Sequence, residues 1–197
     1  MNEVSKIILF IVIITFFTLI TLIIVERNEL FIEYRKAKMN NVEYGIQETF
    51  NKSDEAVELL AKLHQYMQKL VDALGQKYPY DERVKRLVTN FKNCKIEESP
   101  NKDDESSYTI NKGELMAICL RHKKESHPFH DYNTLLFVII HELSHIASIT
   151  EGHNVEFIAN FRWLLREAKA LGYYEPVDYR TSPMTYCGVK VTNNPYF

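Results

Sequence analysis

Glycine and cysteine are scarce in this 197-residue chain, with 6 and 3 copies. No phosphate-binding glycine loop, CxxC pair or GxSxG elbow occurs in it, which removes the usual signatures of nucleotide binding, dithiol redox chemistry and serine hydrolysis. Cys94, Cys119 and Cys187 are too few and too scattered for a disulfide framework, so the cysteine usage predicts a reducing compartment. A surplus of basic charge is also missing. With 24 basic and 26 acidic side chains the net charge is -2, which argues against a surface made for nucleic acid. There is no internal repeat and no low-complexity tract.

What the chain does contain is one long uncharged run. Between Ile7 and Val25 every residue is apolar except Thr15, Thr18 and Thr21. As a helix this run spans roughly 28 Å, close to the hydrocarbon thickness of a bilayer. The threonine hydroxyls can bond back to the helix carbonyls, so they do not oppose insertion. A cleaved signal peptide has a shorter apolar core followed by small residues, whereas Val25 runs into Glu26, Arg27 and Asn28. The run is therefore expected to be an uncleaved single-pass anchor. Lys6 precedes it, while Arg27, Arg35, Lys36 and Lys38 follow it. That imbalance places the C-terminal part on the cytoplasmic side, or the interior side of a virion.

The remaining residues divide into a juxtamembrane linker, 26–50, and one folded domain, 51–197, after a short tail, 1–6. Val57, Leu60, Leu63, Met67, Leu70, Val71 and Leu74 recur at helical spacing after Ser53, with Gly75 as the expected C-cap. A shorter helix follows Asp81. Glu97 to Glu105 reads as a solvated acidic loop. Tyr108 to Asn111 and Glu114 to Arg121 read as two strands joined by a tight turn at Lys112-Gly113. A buried helix, capped by Asp131 or Asn133, then carries His141-Glu142-Leu143-Ser144-His145.

That pentapeptide carries the chemistry. Histidines four apart stack on one helix face, where their ring nitrogens can meet at a tetrahedral zinc ion. Glu142 is about 100° further round, placed to take a proton from water activated by the metal and to deliver it to a leaving amine. The spacing points to amide hydrolysis. A catalytic zinc has three protein ligands, and His153 is the expected third, because Gly152 can turn the chain back and Asn154 can cap a new helix. Glu151 and Glu156 are its rivals. Tyr186, Tyr179 or Tyr173 could steady the oxyanion, with Tyr186 preferred, and Met184 could underlie the metal. His122, His127 and His130 read as a polar loop in preference to a second metal site. Cys187 reads as a small buried residue in preference to a reactive thiol. The Glu114 to Arg121 strand is a candidate edge for an extended peptide.

The run HELSHIASITEGHNVEF and the helix continuing through Phe161, Trp163, Leu164 and Leu165 to Leu171-Gly172 resemble the SprT-like and WLM-type zincin metallopeptidases. The stretch from Tyr108 onward, with ICLR, YNTLLFVIIHELSH, the Gly172-Tyr173-Tyr174 step and Tyr186-Cys187-Gly188, is similar to small metallopeptidases of large DNA viruses. The resemblance implies a zincin-like α+β fold with one N-terminal transmembrane helix. It also implies zinc on His141, His145 and His153, with Glu142 as base. Protein or peptide substrates and a host or virion membrane are the expected partners, and nucleic acid is not. A zinc-stabilised scaffold without catalysis and a protease acting on DNA-bound proteins are the alternatives.

Overall fold

The computed structural model describes residues 3–29, 32–100, 106–123 and 126–197. The chain divides into two compact units, one through Ile32 and one from Glu33 to Phe197. The first is a single helix, α1, Glu3–Glu29. Its apolar run is long enough to cross a membrane, and among the described residues it is the one such helix. The threonines behave as their position predicts: Thr15 donates to the Ile11 and Val12 carbonyls at 3.0 and 2.9 Å, and Thr21 donates to Phe17 at 2.6 Å.

The second unit combines a mixed sheet with a helical layer. Its strands are β1, Ile32–Lys36; β2, Glu43–Gln47; β3, Lys95–Glu98; β4, Tyr108–Ile110; and β5, Leu115–Ile118. They lie in the order β1-β2-β3-β5-β4. β2, β3 and β5 run parallel, whereas β4 pairs antiparallel with β5, Thr109 opposite Met116. The expected β4–β5 hairpin is therefore present, but β5 is an interior strand and β4 is the outer one. The Glu114 to Arg121 strand, a candidate edge in the sequence, is thus the interior alternative.

Two stretches differ from the sequence reading. The 26–50 segment is not a linker throughout, since α1 runs on to Glu29 and β1 and β2 follow within it. Its charged residues mask strands in which Tyr44 and Ile46 are buried while the polar side chains find partners. Likewise, Glu97 and Glu98 belong to β3 and are buried rather than solvated. Glu98 pairs with buried Arg121 at 2.6 Å, and Glu97 accepts a hydrogen bond from Tyr34. Compensated charge lets an acidic stretch enter a sheet. The rest of the expected acidic loop, 101–105, lies outside the described residues.

The helices follow the apolar periodicity. α2, Ser53–Lys77, buries Val57, Leu60, Leu63, Met67, Leu70, Val71 and Leu74. It runs past Gly75, which serves as a contact and not as a cap: a Cβ there would lie 3.3 Å from Val88 of α3, Glu82–Phe91. α4, Tyr132–Ala147, is buried along most of its length against α2, α3 and the next helix, α5, Val155–Ala170. Asp131 caps α4 by accepting from the Thr134 amide at 3.0 Å, and Asn154 caps α5 by accepting from the Phe157 amide at 3.1 Å. A separate two-stranded sheet, β6, Met184–Tyr186, and β7, Val189–Val191, follows near the C-terminus. Cys119 and Cys187 are disulfide-bonded, 68 residues apart, and Cys94 is free. This departs from the expectation of scattered, reduced thiols, because the hairpin returns to the end of β5.

Candidate metal centre

The C-terminal half of α4 carries His141, Glu142 and His145, and the loop to α5 returns His153 to them. The loop reverses at Gly152, φ 75°, in the left-handed region glycine adopts without strain. The three Nε2 atoms lie 3.2 Å (His141 to His145), 3.2 Å (His145 to His153) and 3.0 Å (His141 to His153) apart. Two nitrogens on a tetrahedral zinc, each about 2.05 Å from it, sit about 3.3 Å apart, so the triangle fits that ion. Charge fits as well. Burial first, then the neighbouring histidines, push His141 down to about 3, and burial with His153 pushes His145 to about 4. Both rings are therefore neutral at pH 7, the form that ligates a metal.

Phe157, on the first turn of α5, packs against all three rings, with centroids 4.8, 4.3 and 4.7 Å from those of His141, His145 and His153. The sequence marks its position four residues after His153, but only the fold shows it as the apolar backing of the triad.

Glu142 is buried, and burial raises its carboxyl to about 7. Thr109 of β4 donates to its Oε2 at 2.9 Å and draws the value part of the way back. The rival carboxylates are engaged elsewhere. Glu156 accepts from the Ile149 amide at 2.9 Å, the Thr150 amide at 3.1 Å and the Thr150 hydroxyl at 2.6 Å. Glu151 faces Lys112 at 3.2 Å, and that lysine also donates to the Thr150 carbonyl at 2.7 Å. These contacts fix the loop that presents His153.

A cleft of about 420 Å³ runs over His141, Glu142, His145 and His153, walled by Ser107 to Thr109 on one side and by Tyr186, Val189 and Val191 on another. Tyr186 thus reaches the site, but its hydroxyl donates to the Cys119 carbonyl at 2.8 Å and lies 2.6 Å from Ser107 Oγ. Met184 packs on Thr134 at 3.4 Å, at the opposite end of α4 from the histidines, so it does not underlie them. Tyr173 meets Tyr66 edge to face, and Tyr179 meets Phe137 in the same way. Of the loop histidines, His122 and His130 stack at 3.8 Å while His127 packs on Phe50.

Two histidines four apart on a helix with a third converging on them is the ligand arrangement a catalytic zinc requires. The WLM domain family matches residues 90–194, and the chain belongs to that family. Membership implies a zinc metallopeptidase-like protease. Relatives occur in large DNA viruses. An uncharacterised protein of Acanthamoeba polyphaga mimivirus is 28% identical over 164 residues, covering 80% of this chain and 81% of that protein. One of Invertebrate iridescent virus 6 is 29% identical over 149 residues, covering 72% and 80%. The crystal structure of Wss1 from Saccharomyces cerevisiae aligns with a TM-score of 0.47 at 15% identity, over 64% of this chain and 89% of that one.

Proposed function

We propose that this chain is a membrane-anchored zinc metallopeptidase in which His141, His145 and His153 hold the metal and Glu142 is the general base. The convergence of three imidazole nitrogens beside a buried carboxylate in the cleft is the observation that carries this reading. Zinc, when bound, supplies a Lewis acid that polarises a carbonyl and acidifies water.

The chain's own residues supply the rest. Thr109 holds Oε2, which leaves Oε1 of Glu142 to accept the proton of the attacking water. Burial has brought this carboxyl close to neutral pH, so it can return the proton to the leaving amine. Tyr186, whose hydroxyl proton rests on the Cys119 carbonyl, shapes the cleft wall in this scheme rather than donating to the oxyanion. Among the described strands β4 is the outermost beside β5, and it borders the cleft, which suits an extended peptide binding by strand addition. α1 holds the domain at a membrane, with basic residues after the span favouring the cytoplasmic or virion-interior side.

The test compares the full chain with its Glu142→Gln variant in membranes, against a peptide library. Both should retain one zinc at this centre and resist alkaline extraction, while the variant cleaves about 10³-fold more slowly. A zinc-replete Gln variant of full activity overturns the mechanism, and release of the chain by alkali overturns the anchor.

A further inference from the structure

We infer that Cys119, Cys187 and His130 form a thiol–disulfide exchange site, and that its state sets how firmly the β6–β7 hairpin walls the cleft. The consequence for peptide cleavage rests on the function proposed above; the exchange chemistry does not.

Three-residue strands paired only with each other are marginal by themselves, so the hairpin depends on its attachments. Two of them land on one residue: the disulfide from Cys187 and the Tyr186 hydroxyl on the carbonyl both reach Cys119, one residue past the end of β5. On the other side, Tyr186, Val189 and Val191 face the cleft that holds His141 and Glu142. Cys187 sits at the hairpin turn with φ 45°, followed by Gly188 at φ 81°. Opening the cross-link would therefore free the turn that carries this wall.

The surroundings of Cys187 differ from those of an inert staple. The residue lines a second cavity, about 460 Å³, together with His122, Lys123 and His130. His130 Nε2 lies 3.5 Å from Cys187 Sγ, and a His130 ring nitrogen and both sulfurs fall within 4.8 Å of one another. Burial and the adjacent His122 push the His130 ring down to about 4, so it is neutral at rest and holds a proton only in passing, as a relay between two sulfurs requires. A small thiol entering the cavity would pass its proton to His130. Its thiolate attacks Cys187 Sγ, the S–S bond breaks, and the electron pair leaves on Cys119 Sγ, which takes the proton back from His130. A second thiol then displaces Cys187 from the mixed disulfide. In sum, two small thiols are oxidised to their disulfide and Cys119 and Cys187 are reduced to thiols. The disulfide form of the same small thiol reverses the process.

The experiment uses the full folded chain with reduced and oxidised glutathione as probes. Thiol titration after denaturation should give one cysteine, Cys94, before reduction and three after native-state treatment with reduced glutathione. Amide exchange over residues 184–191 should accelerate about tenfold on reduction and recover on reoxidation. Cys187→Ser should show fast exchange in both conditions. His130→Gln should keep the disulfide but slow its native-state reduction about tenfold. Peptide cleavage by the wild-type chain should fall with reduction; the thiol and exchange readouts hold even where no cleavage is found. The proposal fails if the disulfide yields to glutathione only after unfolding. It also fails if hairpin exchange ignores reduction, or if the reduced chain binds cobalt with a thiolate charge-transfer band and stays protected, which would make the trio a metal site.

Discussion

Three glutamates lie within twelve residues of His145, and their partners separate their roles. Glu142 is enclosed and bonded by one threonine, Glu151 pairs with a lysine at the surface, and Glu156 ties down the loop that carries His153. Glu142 was legible from spacing, because helix geometry fixes where i and i+4 histidines point. Its partner Thr109 was not: the contact joins residues 33 apart on a strand and a helix. Glu156 gives a pH prediction. Hydrogen bonds from the Ile149 and Thr150 amides and the Thr150 hydroxyl, with Arg86 nearby, lower it from 4.5 to about 2. A depressed carboxylate stabilises the fold above its unfolded pKa and loses that contribution as pH falls through the folded one. In the metal-free chain, protection of the Ile149 and Thr150 amides should fall between about pH 4.5 and pH 2. Glu156→Gln should show weaker protection at neutral pH and a flatter dependence. Equal protection in the two chains would remove this role.

Elements, not single residues, bring the site together. α4 was readable because its apolar run is continuous and its caps are explicit, and α5 because Asn154 precedes a helical stripe. β1 and β2 were missed because Glu33, Arg35 and Lys36 make strand residues look like linker; pairing within the sheet, not propensity, decides them. The Cys119–Cys187 link was equally invisible, since a separation of 68 residues leaves no local signal. The β4–β5 turn has a second task, sending Lys112 across to the Thr150 carbonyl and Glu151. Its Gly113 has φ 117°, and a Cβ would stand 2.9 Å from the Asn90 backbone oxygen. Gly113→Ala should therefore cost about 2 kcal/mol, or roughly 6 °C in Tm. Zinc affinity should fall with it as the His153 loop loosens. Thermal unfolding with and without zinc measures both, and an unchanged Tm would show that the turn accommodates a side chain.

At the scale of the whole molecule, the chain is a long apolar helix and one α+β unit. The opening charge balance takes on a particular sense in this setting. A net charge of -2 gives the chain as a whole little long-range attraction to nucleic acid, and under the proposed function α1 supplies a membrane address that favours substrates held at that surface. The fold places a donor set of three imidazoles at one centre and two sulfurs at another, and the two differ in what a metal would report. The most direct measurement is therefore zinc X-ray absorption on the full chain loaded with one equivalent, alongside His153→Ala. Zinc held by the histidine triad should show three nitrogen ligands at about 2.0 Å and no sulfur, with tight binding lost in the variant. Sulfur at about 2.3 Å, or a variant that still holds its zinc tightly, would contradict it.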